Sequence, residues 1–445
     1  MPDDEDRKGR RRRWRRGPFR GQRHLENQPA EQERAEQREE ISRADTMDNL
    51  HRNTDDREGL PDGMALLRVY KRESSNGEPC FGFEVHCFCA DVRIFDNLTY
   101  GRPDLAINDN IEKKGPPPGE FLTQLRIWSS QKGELTRWLY NHRSEHGELK
   151  LVVWDDTGYR IPWELLWLPP KPGKPGPEPG FLGALLTVTR RVTTHVAFPE
   201  IMRSPTDPAP CRACGPVTAY FADDMAFDKA LFTDYVVDSV ASMEALFANL
   251  ATQPEALSMV YVACHGTFSN RPDEFVLGGM PYGRAVEFDY NLPRLRTDAL
   301  VFLNSCVSGL ESVDTGKYND RAQRGFAEVF LCSGAAGVLA TTGAVGKDEA
   351  RMLADRLFKH LKTDPELSVA EAVRRLRAQA LDEMNKNPQW FLSDLSGDER
   401  NAADKALLPL LYPFMYVYFG SPWLLVSPSE RQRPAGTGDA GGAGR

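Results

Sequence analysis

Five short runs of uncharged, mostly apolar residues recur through the second half of the chain, at 216–221, 257–263, 299–304, 336–341 and 414–419. Each is too short for an ordinary helix, and none alternates polar and apolar residues as a strand with one wet face does. Such runs fit strands buried on both faces. Between them the apolar spacing changes to the helical period, predicting helices over 235–250, 326–332, 347–361 and 369–384. Apolar strands alternating with helices give an α/β fold: a mostly parallel sheet with helices on both faces.

The 445-residue chain is long enough for more than one domain. Residues 61–200 read as a supporting α/β lobe, with apolar runs at 65–70, 81–90, 149–154 and 184–192 and a helix over 121–142. Gly/Pro punctuation at 115–119 and 169–180 marks loops, the second an exposed insertion. Residues 201–430 form the larger lobe and 431–445 a Gly/Ala-rich disordered tail. Residues 1–60 read as a disordered Arg-rich, then Glu/Gln-rich arm with too few large apolar side chains to fold alone. Residues 1–23 carry ten Lys/Arg against four acids, +6, leaving 46 against 60, −14, for the rest. The body therefore repels nucleic acid, and only the arm offers it a contact surface.

Eight unevenly spaced cysteines do not form the dense framework of a small secreted domain, which points to a reducing, cytoplasmic setting. The N-terminus has no apolar stretch of the signal-peptide type. The uncharged run 406–429 is long enough to span a bilayer, but Pro409, Pro413, Gly420, Pro422 and Pro428 interrupt it; it reads as a buried strand with its flanks.

In open α/β sheets the chemistry sits just beyond the carboxyl ends of the strands. Two runs end there in reactive residues: 259–264 is followed by His265-Gly266, and 300–305 by Cys306. On neighbouring strands about 4.8 Å apart, the ring and the thiol come within reach of each other. That is the layout of a nucleophile pair. A neighbouring imidazole and a helix N-terminus favour the thiolate of Cys306, and His265 protonates the departing amine of a peptide. Gly266 lets substrate approach the backbone, and the amides of Gly266 and Cys306 supply oxyanion donors. Cys264, next to His265, points to the opposite strand face and reads as a buried structural thiol.

With these residues in hand the sequence resembles the CHAT domain family, caspase-like cysteine peptidases related to separases, metacaspases and caspases. The resemblance runs over about residues 120–426. It rests on Gly158-Tyr159-Arg160-Ile161-Pro162-Trp163-Glu164-Leu165-Leu166, the 183–191 segment, His265-Gly266, Ser305-Cys306, the 335–339 segment and Tyr416-Val417-Tyr418-Phe419-Gly420-Ser421-Pro422. It implies a caspase-like fold with a degenerate first lobe, and a cysteine endopeptidase working without a cofactor in regulated proteolysis, in antiviral defence or programmed death of bacteria. The partners it implies are a protein substrate, such as a gasdermin-like pore former, and an activating protein.

Two departures bear on specificity. Residues 341–348 lack the Trp found there in many relatives, and Asn304 stands two residues before the nucleophile, where metacaspase-like enzymes carry the Asp that binds a basic P1 side chain. A basic P1 is therefore not expected on that ground; Asn304, Asp348 and Asp314 remain candidates for substrate contacts. The competing reading is an inactive CHAT-fold interaction protein recruited through its arm. Arg190-Arg191 and the 310–324 loop are candidate processing points.

Cys211 and Cys214 have the spacing of half a zinc knuckle, with no second pair at zinc-finger distance. Cys87, Cys89 and His86 complete a site only through the fold. His142 and His146 read as surface or core filler. The reading at this level includes no metal and no cofactor.

Overall fold

The computed structural model describes residues 60–73, 79–89, 92–95, 117–155, 157–158, 161–170, 178–193, 207, 211–252, 255–269, 271–313, 323–387 and 396–431. The Arg-rich arm, the tail, Asp314 and most of the 310–324 loop lie outside them.

One eleven-stranded sheet runs through the molecule. Its strands are β1 (Met64–Glu73), β2 (Pro79–Cys87), β3 (Val92–Phe95), β4 (Lys150–Asp155), β5 (Thr187–Arg191), β6 (Val217–Phe221), β7 (Val237–Val240), β8 (Met259–Ala263), β9 (Leu300–Asn304), β10 (Gly337–Thr341) and β11 (Tyr416–Gly420). In space the order is β7-β6-β8-β9-β10-β11-β5-β4-β1-β2-β3. β7 through β10 are parallel, and so are β11, β5, β4 and β1; the two blocks meet at the antiparallel β10–β11 pair. Their carboxyl ends consequently lie on opposite edges of the sheet. β2 and β3 add an antiparallel edge.

The longer helices are α1 (Pro118–Ser130), α2 (Gly133–His146), α3 (Met243–Leu250), α4 (Phe326–Cys332), α5 (Lys347–Thr363), α6 (Val369–Lys386) and α7 (Gly397–Met415). Both faces of β6, β8, β9 and β10 are covered, which is why these strands are uncharged and mostly apolar. Met259, Tyr261 and Ala263 of β8 face a core shared with α5, α6 and α7, whereas Val260 and Val262 face one shared with α3 and α4. No helix among the described residues is long and apolar enough to cross a membrane.

Four elements differ from expectation. The helix expected over 235–250 is strand β7 followed by α3; Val237 and Val240 pair with β6 at the sheet edge, and Ser242 starts the helix by accepting from the Ala245 amide at 3.1 Å. The helix expected over 121–142 is broken between α1 and α2, where the Ser129 and Ser130 hydroxyls bond back to Leu125 and Ile127 carbonyls and Gly133 begins a new helix. Residues 184–192 open as a helical turn, Leu182–Leu185, before β5 begins. The 406–429 run begins inside α7, despite Pro409 and Pro413. Arg377, buried beneath, donates to the Pro413 carbonyl at 3.3 Å and the Tyr416 carbonyl at 2.5 Å, satisfying groups where the helix ends.

Candidate active site

β8 and β9 are direct parallel neighbours, with Ala263 paired to Asn304. His265 and Cys306 each follow two residues later, so they stand at matched positions past the same rim. Gly266 runs against the nucleophile segment: a β-carbon built on it would lie 2.5 Å from the Cys306 carbonyl oxygen and 2.8 Å from Ser305 Oγ. Only glycine permits that approach.

The Cys306 segment is held from several sides. A turn follows the thiol in place of the expected helix N-terminus, and α4 begins only at Phe326. Val307 has φ +52°, in a region costly for a β-branched residue. Its amide donates to the Gly343 carbonyl at 3.1 Å, and the Gly309 amide to Thr341 O at 2.7 Å. Thr341 Oγ1 and Ser308 Oγ both donate to the Ser305 carbonyl, at 2.6 and 2.8 Å. These bonds over-determine the strained turn that carries the thiol out of the sheet. Cys306 is half-buried, and its Sγ lies 3.4 Å from the Val345 carbonyl oxygen.

Sequence reasoning missed Asp224. It follows β6, the strand on the other side of β8, and its Oδ2 lies 2.9 Å from Nε2 of His265. The His265 side chain is 68% exposed. Hydrogen bonding to His265 holds the Asp224 carboxyl below its usual range. With Nε2 committed to Asp224, Nδ1 is the ring nitrogen left for the thiol or the departing amine. Gly266 sits opposite Leu277 in a small antiparallel pairing whose neighbouring bond runs from the Gly278 amide to the His265 carbonyl, 2.9 Å. Gly266 therefore occupies a non-hydrogen-bonded position, and its own N–H points away from that ladder.

Beside Cys306 lies a small recess, walled by Met225, Phe227, Val345, Lys347 and Ala350. Asn304, Asp228 and Tyr416 also line it, linked to Tyr261 in a buried network. Tyr261 donates to Asp228 Oδ2 at 2.6 Å, Asn304 Nδ2 to the Tyr261 oxygen at 2.8 Å, and Tyr416 to Asn304 Oδ1 at 2.5 Å. Asn304 is only 4% exposed and both ends of its amide are engaged. Asp228 Oδ1 has no hydrogen-bond partner among the described residues. Burial raises the Asp228 pKa; its bonds from Tyr261 and Asn304 and the nearby Arg351 charge offset this in part.

Asp348 is exposed in the first turn of α5 and does not line the recess; its neighbour Lys347 does. Cys264 is fully buried in the opposite core, and burial pushes its thiol up to about 12. Arg190 is half-buried on β5 and holds Glu164 through two bonds, so the Arg190-Arg191 processing point sits in a sheet strand of the folded chain and not in an exposed loop.

Residues 151–402 match the CHAT domain family. No curated protein matches the sequence. Among solved structures, the Saccharomyces cerevisiae separase–securin complex at 2.6 Å resolution is similar, with 18% identity and a TM-score of 0.38 over 62% of this chain and 16% of that one. The same complex at 3.0 Å gives 17% identity and a TM-score of 0.38 over 62% and 15%. The match thus spans about a sixth of the yeast chain.

Proposed function

From the premise that the chain belongs to the CHAT domain family, whose match takes in more than half of its length, we propose that it is a cysteine endopeptidase with Cys306 as nucleophile and His265 as general acid/base. The observation that carries this is the pairing of β8 with β9, which sets both residues past one rim with the Gly266 backbone packed on the Cys306 segment.

The thiolate attacks the scissile carbonyl carbon, forming a C–S bond while the carbonyl electron pair moves onto oxygen. The N–H groups of Gly266 and Cys306 stabilise that oxyanion. When it collapses, the C–N bond breaks and His265 delivers its proton to the departing amine. Water then attacks the thioester as His265 takes its proton; the C–S bond breaks, the carboxylic acid product leaves, and His265 returns the proton to sulfur. Asp224 orients the ring through Nε2 and stabilises its cationic form. To engage, the thiol leaves Val345 and the ring turns Nδ1 toward it, a side-chain rearrangement suited to substrate-triggered activity.

The unpaired oxygen of Asp228 supports an Arg or Lys side chain at P1. The carboxylate comes from the 223–232 segment, not from the position held by Asn304. The family resemblance extends the proposal to regulated cleavage of one or a few partner proteins in defence or programmed death.

The test is labelling with a cysteine-directed electrophile, beside hydrolysis of a peptide panel varied at P1. Wild type should label fast and favour Arg or Lys, Cys306→Ala should lose the fast phase, and His265→Ala should slow both readouts at least ~100-fold. Equal labelling in all three proteins removes the activated thiol and leaves the inactive interaction protein as the reading.

A further inference from the structure

The fold assembles four metal-binding side chains far along the sequence from the cysteine–histidine rim. Cys87 is the last residue of β2 and Cys89 lies in the turn after it, where the Phe88 amide donates to the Met64 carbonyl at 2.9 Å. His142 and His146 are four residues apart on α2 and share one helix face. One ligand atom from each residue can be chosen so that all four lie within 4.8 Å of one another.

Around a tetrahedral zinc with bonds of 2.0–2.3 Å, ligand atoms stand ~3.3–3.8 Å apart. The four atoms need to draw in by only about 1 Å to meet that geometry. Cys89 is exposed in its turn, which leaves room for such a movement.

Details of the two rings fit a metal. Nδ1 of His142 lies 3.0 Å from the Trp138 carbonyl oxygen, which can only accept, so Nδ1 carries the proton and Nε2 the lone pair. A backbone carbonyl holding one ring nitrogen while the other binds is the usual support of a metal-ligating histidine. The ring is also fixed by stacking on Trp138, with centroids 3.9 Å apart. His146 is held against Phe88, centroids 4.7 Å apart, and its Nε2 is buried with no hydrogen-bond partner among the described residues. A buried ring nitrogen left in that way is costly unless something binds it.

We propose that Cys87, Cys89, His142 and His146 form a structural zinc site that clips the end of the β1–β2 hairpin to α2. Two thiolates and two neutral imidazoles leave the centre with no net charge, and this donor set suits zinc. On binding, two thiol protons pass to solvent. Four protein ligands leave no open position, which makes the site structural and independent of the peptidase chemistry. The partners expected from sequence spacing do not take part. His86 bonds to Glu84 at 2.8 Å, and Cys211 and Cys214 lie on another strand, one buried and one exposed.

The full-length protein, purified with zinc present and then passed into metal-free buffer, should retain about one zinc per chain by elemental analysis. Cys89→Ser/His146→Gln should retain less than about a tenth of that, with circular dichroism checking that the variant still folds. Cobalt(II) in place of zinc should give the visible absorption of a tetrahedral site with a thiolate charge-transfer band, absent from the variant. Wild type that holds no zinc, a variant that holds as much as wild type, or a Cys87–Cys89 disulfide in protein purified under reducing conditions would overturn the proposal.

Discussion

The carboxyl ends of β8 and β9 and those of β4 and β5 belong to opposite-facing blocks of one sheet, and the chain uses the two rims differently. At the first, His265 turns into solvent toward Asp224, and Cys306 rides a strained turn beside a small recess. At the second, the polar groups turn inward. Asp155 at the end of β4 accepts from the Trp163 indole at 2.8 Å, and Arg190 of β5 grips Glu164 through Nε at 2.9 Å and Nη2 at 2.5 Å. Glu164 is 1% exposed; burial works to raise its pKa, but Arg190 and the nearby Arg377 hold it below the usual carboxylate range. A strand-end rim becomes a reaction site only where its polar groups lack partners inside the fold. The Pro162-Trp163-Glu164-Leu165 motif therefore reads as a keystone of packing, although it is as distinctive in sequence as the dyad.

The largest effect should come from breaking that keystone. Glu164→Ala leaves the half-buried Arg190 without its carboxylate and takes the nearby negative charge from the buried Arg377, and should cost about 3–5 kcal/mol, against almost none for His265→Ala at the exposed rim. Chemical unfolding of both variants measures the contrast, and equal midpoints would erase it. The pH dependence has a definite sign. Because the folded-state pKa of Glu164 is depressed, its contribution is present above the unfolded value of about 4.5 and is lost as pH falls through the folded value.

Glycines sharpen the same comparison. An added β-carbon at Gly266 meets the Cys306 carbonyl at 2.5 Å, and one at Gly183 meets Arg377 Nη1 and Glu164 Cβ at 2.9 Å. Both Ala variants overpack, but in different places. Gly266→Ala should lower kcat/KM by ~100-fold by displacing the nucleophile segment and an oxyanion donor. Gly183→Ala should lower stability by ~1–3 kcal/mol with turnover per folded molecule unchanged. If Gly183→Ala alters turnover as Gly266→Ala does, the two rims are coupled and their separation is wrong.

The main sheet was legible because burial on both faces left strands β6, β8, β9 and β10 uncharged and apolar, and because reactive residues ended two of them. The same rule extended to β6 would have found Asp224, two residues after Ala222 and three after the strand's last residue; nothing in the sequence tells that β6 is the neighbour of β8. Asp228 was hidden for another reason, since nothing local distinguishes a buried carboxylate in an irregular segment from an exposed one. The Cys87, Cys89, His142 and His146 cluster was invisible because its halves are 53 residues apart at their nearest and meet only through the hairpin and α2. Helix α7 was obscured by two prolines whose disruption Arg377 helps to absorb from another helix.

Asp224 offers a subtler way to separate orientation from chemistry. Asp224→Asn keeps a side chain of the same shape near Nε2 but removes the charge that stabilises the imidazolium. kcat should fall ~10-fold with KM unchanged, and thermal stability should hold because the pair is exposed. A rise in KM with kcat intact would assign Asp224 to substrate binding instead.

The smallest effect tests whether the recess keeps a carboxylate at the expense of stability. Asp228 is buried, and its folded-state pKa is raised above the ordinary value, chiefly by desolvation. A raised carboxyl pKa favours the fold while the group is protonated, and that contribution is lost as pH rises from the unfolded value of about 3.8 through the folded one. The groups facing it, the Tyr261 hydroxyl, the Asn304 amide and the Arg351 charge, offset the cost only in part. Asp228→Asn can still accept from Tyr261 and removes the buried charge, so its melting temperature at pH 7 should exceed wild type by roughly 2 °C. The gain should vanish below about pH 4, where the wild-type carboxyl is protonated. The same variant should lose its preference for Arg or Lys at P1. A variant that gains stability and keeps that preference would show that the carboxylate is not the recess's recognition group, whereas one that loses both would make Asp228 part of the packing that Glu164 exemplifies in the other block.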